Sequence, residues 1–257
     1  MATRKKLIAG NWKMYKGLED ARLLASAIAR ELPAGPEPEV VLFPAFPFLA
    51  AVVEAVAGAA HPIVVGAQNL HYEPEGAFTG EVSARMIRST GARYVLAGHS
   101  ERRHVFGESD EVVGKKVRAA LDLGLTPVLC VGEKLEEREA GETFKVVERQ
   151  LKSGLDRVDA AKAGRVVIAY EPVWAIGTGK NATPAQGAEV HRFLRGELAR
   201  IASPEVAGAA RILYGGSVKP ANIKELLSEP EIDGALVGGA SLEAESFLAI
   251  CRAEARG

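Results

Sequence analysis

The sequence has 257 residues, of which 47% are hydrophobic and 25% charged, and its formal net charge is -1. This composition is ordinary for a globular protein, and the near-neutral charge excludes the basic excess of a nucleic-acid-binding surface. A chain of this length buries a core large enough to fold without disulfides or a structural metal, and it can still hold a locally positive anion site.

Short β-branched runs alternate with longer helix-like segments along the whole chain. The runs are apolar throughout, which indicates strands covered on both faces, as in parallel sheets. The predicted strands are residues 7–9, 40–43, 63–65, 94–97, 127–131, 166–170, 212–214 and 235–237.

The intervening segments predict helices. Ala21, Leu24, Ile28 and Leu32 fall on one helical face, residues 183–186 have the composition of a capped helix start, and residues 243–252 predict the last helix. No linker or low-complexity tract interrupts the alternation. Eight strand–helix pairs predict one α/β domain over residues 1–257, a closed (β/α)8 barrel, with an open doubly wound sheet as the main alternative.

No segment has the pattern of a targeting signal or a membrane span. The apolar run at residues 7–10 is too short for a signal peptide, and the longest apolar stretch, residues 48–66, contains a glutamate, a histidine and a proline. The two cysteines, Cys130 and Cys251, lie far apart. They indicate reduced thiols, so we predict a cytoplasmic protein with no membrane partner.

Two connections are too long for simple turns. Residues 68–81 carry Tyr72 and Phe78, and because exposed aromatic side chains need a cover, this loop predicts a packed interface. Residues 172–182 join the sixth strand to the helix start at Thr183. Long loops of this kind tend to be functional.

Polar residues end several of the apolar runs, and the loops after barrel strands gather at one face. We therefore take them as the candidate site. They are Asn11 and Lys13 after the first strand, His99 and Glu101 after the fourth, Glu171 after the sixth, Gly215, Gly216 and Ser217 after the seventh, and Gly238 and Gly239 after the eighth.

Each candidate also has a plain structural interpretation. Glu171 suits a general base at a strand end, or is an exposed loop glutamate. His99, beside a helix start, suits a neutral hydrogen-bond donor, or is a structural histidine. Lys13 neutralises an anion, lies at the rim, or forms a Schiff base. The glycine pairs suit a phosphate cradle, although such pairs are common in turns.

Other motifs fail. Gly179 and Lys180 resemble the end of a nucleotide-binding loop, but Trp174 stands where its first glycine belongs. No dinucleotide-type glycine pattern follows a strand, and His99 and His104 lack the spacing of a zinc-binding helix. We therefore predict no metal and no nucleotide cofactor.

Seven segments resemble the triosephosphate isomerase family. The most distinctive is Ala-Tyr-Glu-Pro-Val-Trp-Ala-Ile-Gly-Thr-Gly at residues 169–179, and the others are residues 9–14, 66–69, 76–81, 98–103, 214–218 and 237–240. The resemblance covers essentially the whole chain. It implies a TIM barrel and a cofactor-free, homodimeric enzyme of glycolysis and gluconeogenesis. Its substrates are small phosphorylated trioses, D-glyceraldehyde 3-phosphate and dihydroxyacetone phosphate, interconverted through an enediol(ate).

The resemblance also implies residue roles. Glu171 would carry the proton between carbons, His99 would polarise the carbonyl, and Lys13 with Asn11 would stabilise the negative intermediate, with Glu101 behind them. The implied substrate-binding residues are Asn11, Lys13, Gly177, Ser217, Gly238 and Gly239. The implied lid, which would keep water from the intermediate, consists of Pro172, Val173, Trp174, Ala175, Ile176, Gly177, Thr178, Gly179 and Lys180.

For the dimer interface the resemblance implies Gln68, Tyr72, Phe78 and Thr79, with Thr79 reaching toward the partner's Lys13 region. Tyr15 departs from the asparagine common in the family, which leaves the interface detail open, and the sequence does not separate a dimer from a tetramer. Two other functions stay open at this point. They are an aldolase that uses Lys13 as a Schiff base and a non-catalytic phosphate-binding barrel.

Overall fold

The computed structural model describes residues 4–35, 38–176 and 182–253. Within them, parallel strands pair in chain order and close into a barrel, each strand next to its sequence neighbours and the last next to the first. The strands are β1 (Leu7–Asn11), β2 (Glu39–Phe43), β3 (Ile63–Ala67), β4 (Tyr94–Ala97), β5 (Thr126–Val131), β6 (Val167–Tyr170), β7 (Ile212–Tyr214) and β8 (Gly234–Val237). The closed (β/α)8 barrel is confirmed, and the open sheet is excluded.

Helices cover the outside of the barrel. They are α1 (Leu18–Glu31), α2 (Leu49–Val56), α3 (Ala84–Ser89), α4 (Ser100–His104), α5 (Asp110–Asp122), α6 (Leu135–Glu139), α7 (Thr143–Gly154), α8 (Ala160–Ala163), α9 (Pro184–Ile201), α10 (Pro204–Ala209), α11 (Ile223–Leu227) and α12 (Ala244–Cys251). Short 3-10 turns occur at Phe46–Phe48, Val173–Ala175 and Gly239–Leu242. None of the described helices is long and apolar enough to cross a membrane.

The barrel closes between β1 and β8, where Leu7 pairs with Gly234. Gly234 has a φ of +147°, and a Cβ there would lie 1.8 Å from the carbonyl oxygen of Leu7. Only glycine combines this backbone conformation with so close an approach. The first residue of β8 therefore brings the two ends of the sheet within hydrogen-bonding distance.

Each strand is buried on both faces, as its unbroken apolar sequence predicts. In β1, Leu7 and Ala9 belong to the cluster that fills the barrel, whereas Ile8 belongs to the cluster between strands and helices. The same division places Leu213 of β7 inside and Ile212 outside. Side chains rather than a channel thus occupy the barrel, and polar groups are left to its two ends.

Local signals set the helix boundaries. Thr183 Oγ1 accepts a hydrogen bond from Gln186 N, and Gln186 Oε1 accepts one from Thr183 N, so the predicted capping box starts α9 with Pro184 at its first position. The helix predicted at residues 243–252 begins instead at Ala244, because a 3-10 turn precedes it. Residues 1–3 and 254–257 lie outside the described residues, so the domain boundaries 1–257 remain a prediction.

Candidate active site

One cavity of about 600 Å³ lies at the carboxyl ends of the strands. Most of the predicted site residues line it, because each follows a different strand of the same barrel. The predicted residues in its wall are Asn11, Lys13, His99, Glu171, Ile176, Gly215, Gly216, Ser217, Gly238 and Gly239, and Tyr15, Lys219, Leu236 and Leu242 are among the others. Residues scattered from position 11 to 239 thus share one surface.

Glu171 directly follows β6, and its residue surface is only 2% exposed. Its carboxylate accepts a hydrogen bond from Ser100 N at 2.9 Å and one from Ser100 Oγ at 3.2 Å. His99 Nε2 lies 3.0 Å from Glu171 Oε1. The carboxylate of β6 is therefore held across the cavity by groups that follow β4, and the interpretation as an exposed loop glutamate is wrong.

His99 precedes α4, and its ring bonds to the first turn of that helix. Glu101 N donates to His99 Nδ1 at 3.3 Å. A ring nitrogen that accepts a hydrogen bond carries no proton, so the proton of the neutral ring lies on Nε2. The cavity-side nitrogen of His99 is thereby a donor, and it lies 3.0 Å from Glu171 Oε1.

Lys13 adopts a left-handed backbone conformation, with a φ of +51°. For a residue with a Cβ this conformation costs about 1–2 kcal/mol. Two side chains hold it, since Lys13 N donates to Asn11 Oδ1 at 3.0 Å and Gln68 Nε2 donates to Lys13 O at 2.8 Å. Such strain, held from both sides, is typical of functional sites.

The Lys13 side chain forms an ion pair with Glu101, with Nζ 2.6 Å from Glu101 Oε1. Asn11, Lys13 and Glu101 therefore form one hydrogen-bonded group with His99, which Glu101 also contacts through its backbone.

The glycines after β7 and β8 have different surroundings. A Cβ on Gly215 would lie 2.9 Å from Glu171 Cγ, and one on Gly216 would lie 2.4 Å from Tyr214 Oη, so these two glycines make room for neighbouring side chains. Around Gly239 the space is open, and Gly238 faces the Lys13 side chain at 3.5 Å. All four glycines line the cavity, but only the pair after β8 has no described neighbour within 3.4 Å of an added Cβ.

The start of the predicted lid is anchored to Glu133, which follows β5 and is fully buried. Glu133 Oε1 accepts hydrogen bonds from Trp174 Nε1 at 2.9 Å and from Tyr170 Oη at 3.1 Å. Burial raises the pKa of the Tyr170 phenol, and the Glu133 carboxylate raises it further, so this hydroxyl remains a donor. Arg138 lies over the Trp174 ring and pairs with Glu133.

The remaining lid residues divide into two groups. Pro172, Val173 and Ala175 continue from Glu171 through a 3-10 turn, and Ile176 lines the cavity. Gly177, Thr178, Gly179 and Lys180 lie outside the described residues. The substrate-binding role predicted for Gly177 is therefore outside the described part of the chain as well.

Comparisons with known proteins agree with this geometry. The triosephosphate isomerase family matches residues 6–254. A triosephosphate isomerase of Carboxydothermus hydrogenoformans is 53% identical over 249 residues, which cover 97% of this chain and 98% of that protein. One of Moorella thermoacetica is 54% identical over 247 residues, covering 96% and 98%, respectively.

This chain belongs to the triosephosphate isomerase family. This membership confirms the predicted family. It also confirms the predicted activity, that of a triose-phosphate isomerase, an enzyme of glycolysis and gluconeogenesis. It also excludes the aldolase and the non-catalytic barrel as descriptions of the chain.

Four residues of this triosephosphate isomerase family member were missed or undervalued by the sequence argument. Ser100 was not among the predicted site residues, yet it bonds the Glu171 carboxylate twice. Glu133 ends the fifth apolar run, so the rule applied to the other strands would have found it. Gln68, expected at an interface, bonds the backbone of Lys13 within its own chain.

Cys130, the fourth of these residues, lies on β5 inside the barrel and contacts Glu171. Burial raises the pKa of its thiol well above the ordinary value, and the Glu171 carboxylate raises it further. A thiol with a raised pKa holds little thiolate, which is the reactive form. Cys130 is therefore part of the packing around Glu171, with no nucleophilic function.

We expect neither thiol of the native enzyme to react with iodoacetamide at pH 8. Cys251 is buried too, and burial raises the pKa of its thiol. Mass spectrometry should find no labelled cysteine in the folded protein after about an hour, and both labelled once denaturant is added. Rapid native labelling of Cys130 would contradict its assignment as a packing residue.

Proposed function

We propose that this enzyme interconverts D-glyceraldehyde 3-phosphate and dihydroxyacetone phosphate by moving a proton between adjacent carbons through an enediol(ate), with Glu171 as the base. The supporting observation is that Glu171, His99 and Lys13, from three different strand ends, line one cavity. A base, a hydrogen-bond donor and a cation around one space are the groups that this proton transfer needs. None of the described residues forms a group of three His, Cys, Asp or Glu placed to hold a metal ion.

Glu171 has to exchange partners before it can act. Its two carboxylate oxygens accept hydrogen bonds from Ser100, and His99 Nε2 lies 3.0 Å from Oε1, so the carboxylate must leave these partners to reach a substrate carbon. A bound substrate would replace the contact with His99 and draw the carboxylate over the acidic carbon. Ile176 lines the same cavity and would exclude water from it.

His99 would polarise the carbonyl of the substrate. Because Glu101 N occupies Nδ1, the Nε2 proton is the one available to the cavity. Once Glu171 turns to the substrate carbon, the Nε2–H group would donate a hydrogen bond to a substrate oxygen. A neutral imidazole fixed in one tautomer can then move protons between the two oxygens of the intermediate.

Lys13 would balance the negative charge that develops on those oxygens. Its side chain is only 25% exposed, and its ammonium pairs with the Glu101 carboxylate. Its backbone is fixed by Asn11 and Gln68, so no reorganisation is needed as charge develops. Ser217, Gly238 and Gly239 line the same cavity, where their backbone amides would hold the phosphate.

The lid is proposed to close over this complex. The described first part of the lid ends at Ile176. The hydrogen bonds of Glu133 with Trp174 and Tyr170 would fix the point from which the lid moves. The capping box at Thr183 fixes the other side. Closure would keep water away from the enediol(ate), which otherwise loses phosphate.

Glu171→Asp should fold normally and lose about 100-fold or more in kcat, because the shorter side chain withdraws the base from the carbon by one methylene. KM should change little, since the proposed phosphate contacts come from other residues. A coupled assay for dihydroxyacetone phosphate, with chelator present, measures both constants. Near-normal turnover would remove Glu171 from its proposed role.

We infer a homodimer from the apolar side chains exposed after β1, β3 and β4. Met14 is 94% exposed, Phe106 66% and Phe78 42%, and Tyr15 and Val105 are exposed as well. These loops adjoin, because Gln68 after β3 bonds Lys13 after β1. Exposed apolar side chains concentrated on one rim favour an interface, and a second copy of the chain would cover them. Thr79 is exposed beside Phe78 and would reach the partner's Lys13 region.

Met14→Glu should shift the protein to monomers at micromolar concentration in sedimentation velocity. Activity should fall with dissociation, because Lys13 is the neighbouring residue. Leu23→Glu is the matched control, since Leu23 on α1 is 61% exposed but lies away from these loops. A fully active monomer, or equal dissociation of both variants, would contradict the proposed interface.

We also propose a cytoplasmic location. Both cysteines are buried as free thiols, which suits a reducing compartment.

A further inference from the structure

Gln150 is a polar side chain on the buried face of a helix. It lies on α7 between the buried residues Val147 and Leu151 and is itself only 3% exposed. An apolar residue would satisfy the packing of this face. A buried amide therefore needs another reason, and its hydrogen bonds supply one.

Both ends of the Gln150 amide bond to one residue, Gly132. Gly132 N donates to Gln150 Oε1 at 2.7 Å, and Gln150 Nε2 donates to Gly132 O at 3.2 Å. β5 ends at Val131, so Gly132 lies beyond the strand ladder. Gln150 supplies a donor and an acceptor to Gly132 in place of a neighbouring strand.

Gly132 in turn lies directly against the backbone of Glu171. A Cβ on Gly132 would be 1.7 Å from Glu171 O, and Glu171 N donates to Val131 O at 2.8 Å. Two backbones in such close contact cannot move independently. The position of Gly132 therefore determines the position of the proposed base.

The next residue, Glu133, carries the contacts of the lid. Val173 N donates to Glu133 O at 3.1 Å, and the Glu133 carboxylate accepts from Trp174 and Tyr170. A rotation of the Gly132–Glu133 peptide would therefore disturb the base and the start of the lid together.

We propose that Gln150 is a positioning residue for the isomerisation, holding through Gly132 both the Glu171 backbone and the Glu133 anchor of the lid. The inference rests on the proposed role of Glu171. Gln150 touches neither substrate nor reacting atoms, and its effect is on the geometry of the groups that do.

The test compares Gln150→Met with His61→Leu. Methionine keeps the length of the side chain and removes both hydrogen bonds. His61 is the matched control, because it is 2% exposed and its two ring nitrogens lie 3.0 and 2.8 Å from Pro33 O and Pro38 O, in the connection between α1 and β2. Both variants remove side chain–backbone contacts from the interior, but only Gln150 bonds the residue that packs against the Glu171 backbone.

Gln150→Met should lower kcat by about 10-fold to 100-fold with KM within about twofold of wild type. It should also raise the inorganic phosphate released per turnover, because a displaced lid lets the intermediate lose phosphate. His61→Leu should lower the melting temperature and leave kcat, KM and phosphate release unchanged. Phosphate release is the readout that a purely structural role would not alter.

Wild-type kcat and phosphate release in a folded Gln150→Met protein would overturn the proposal. If that variant does not fold, Gln150→Glu keeps the acceptor for Gly132 N, removes the donor to Gly132 O, and should change both quantities in the same direction. Wild-type values there would equally overturn it. Failure of the Glu171 assignment is distinguishable, because Glu171→Asp would then be active whatever the Gln150 variants do.

Discussion

The contact on which this site depends is the hold of Ser100 and His99 on the carboxylate of Glu171. It joins the end of β6 to the end of β4 across the barrel mouth, with distances of 2.9–3.2 Å. In this arrangement the carboxylate is engaged by donors, and the cavity beside it is open. The proposed base, Glu171, is thereby held in place and shielded from solvent. It would exchange these partners for the acidic carbon of the substrate.

Several groups of this site are held in place by hydrogen bonds. Lys13 N donates to Asn11 Oδ1, Glu101 N donates to His99 Nδ1, and Gly132 N donates to Gln150 Oε1. At the start of the proposed lid, Trp174 donates to Glu133 and lies under Arg138, and residues 173–175 form a 3-10 turn. In the mechanism proposed above, the held groups supply preorganised charge, and closure of the lid would exclude water.

Much of this arrangement follows from the sequence, since strands buried on both faces are apolar without interruption and their ends mark the site. Strand positions were predicted to within two residues at each end. The sequence did not reveal the residue proposed to act by holding the backbone of another residue. Gln150 belongs to a helical pattern 21 positions before Glu171, and nothing local to it shows that Gly132 needs both a donor and an acceptor. Ser100 was hidden in the same way, because nothing local shows that the first residue of α4, which follows its N-cap His99, bonds a carboxylate 71 positions away.

The central claim is that the Glu171 carboxylate leaves Ser100 and His99 for the substrate carbon while the strand ends stay in place. A crystal structure with a stable phosphorylated two-carbon carboxylate, which mimics the enediolate, tests it most directly. We expect the Glu171 carboxylate to contact the analogue and His99 Nε2 and Lys13 Nζ to bind its carboxylate oxygens. The phosphate should accept hydrogen bonds from the backbone amides of Ser217, Gly238 and Gly239. An analogue bound in the cavity with Glu171 still on Ser100 and its phosphate elsewhere would contradict the account.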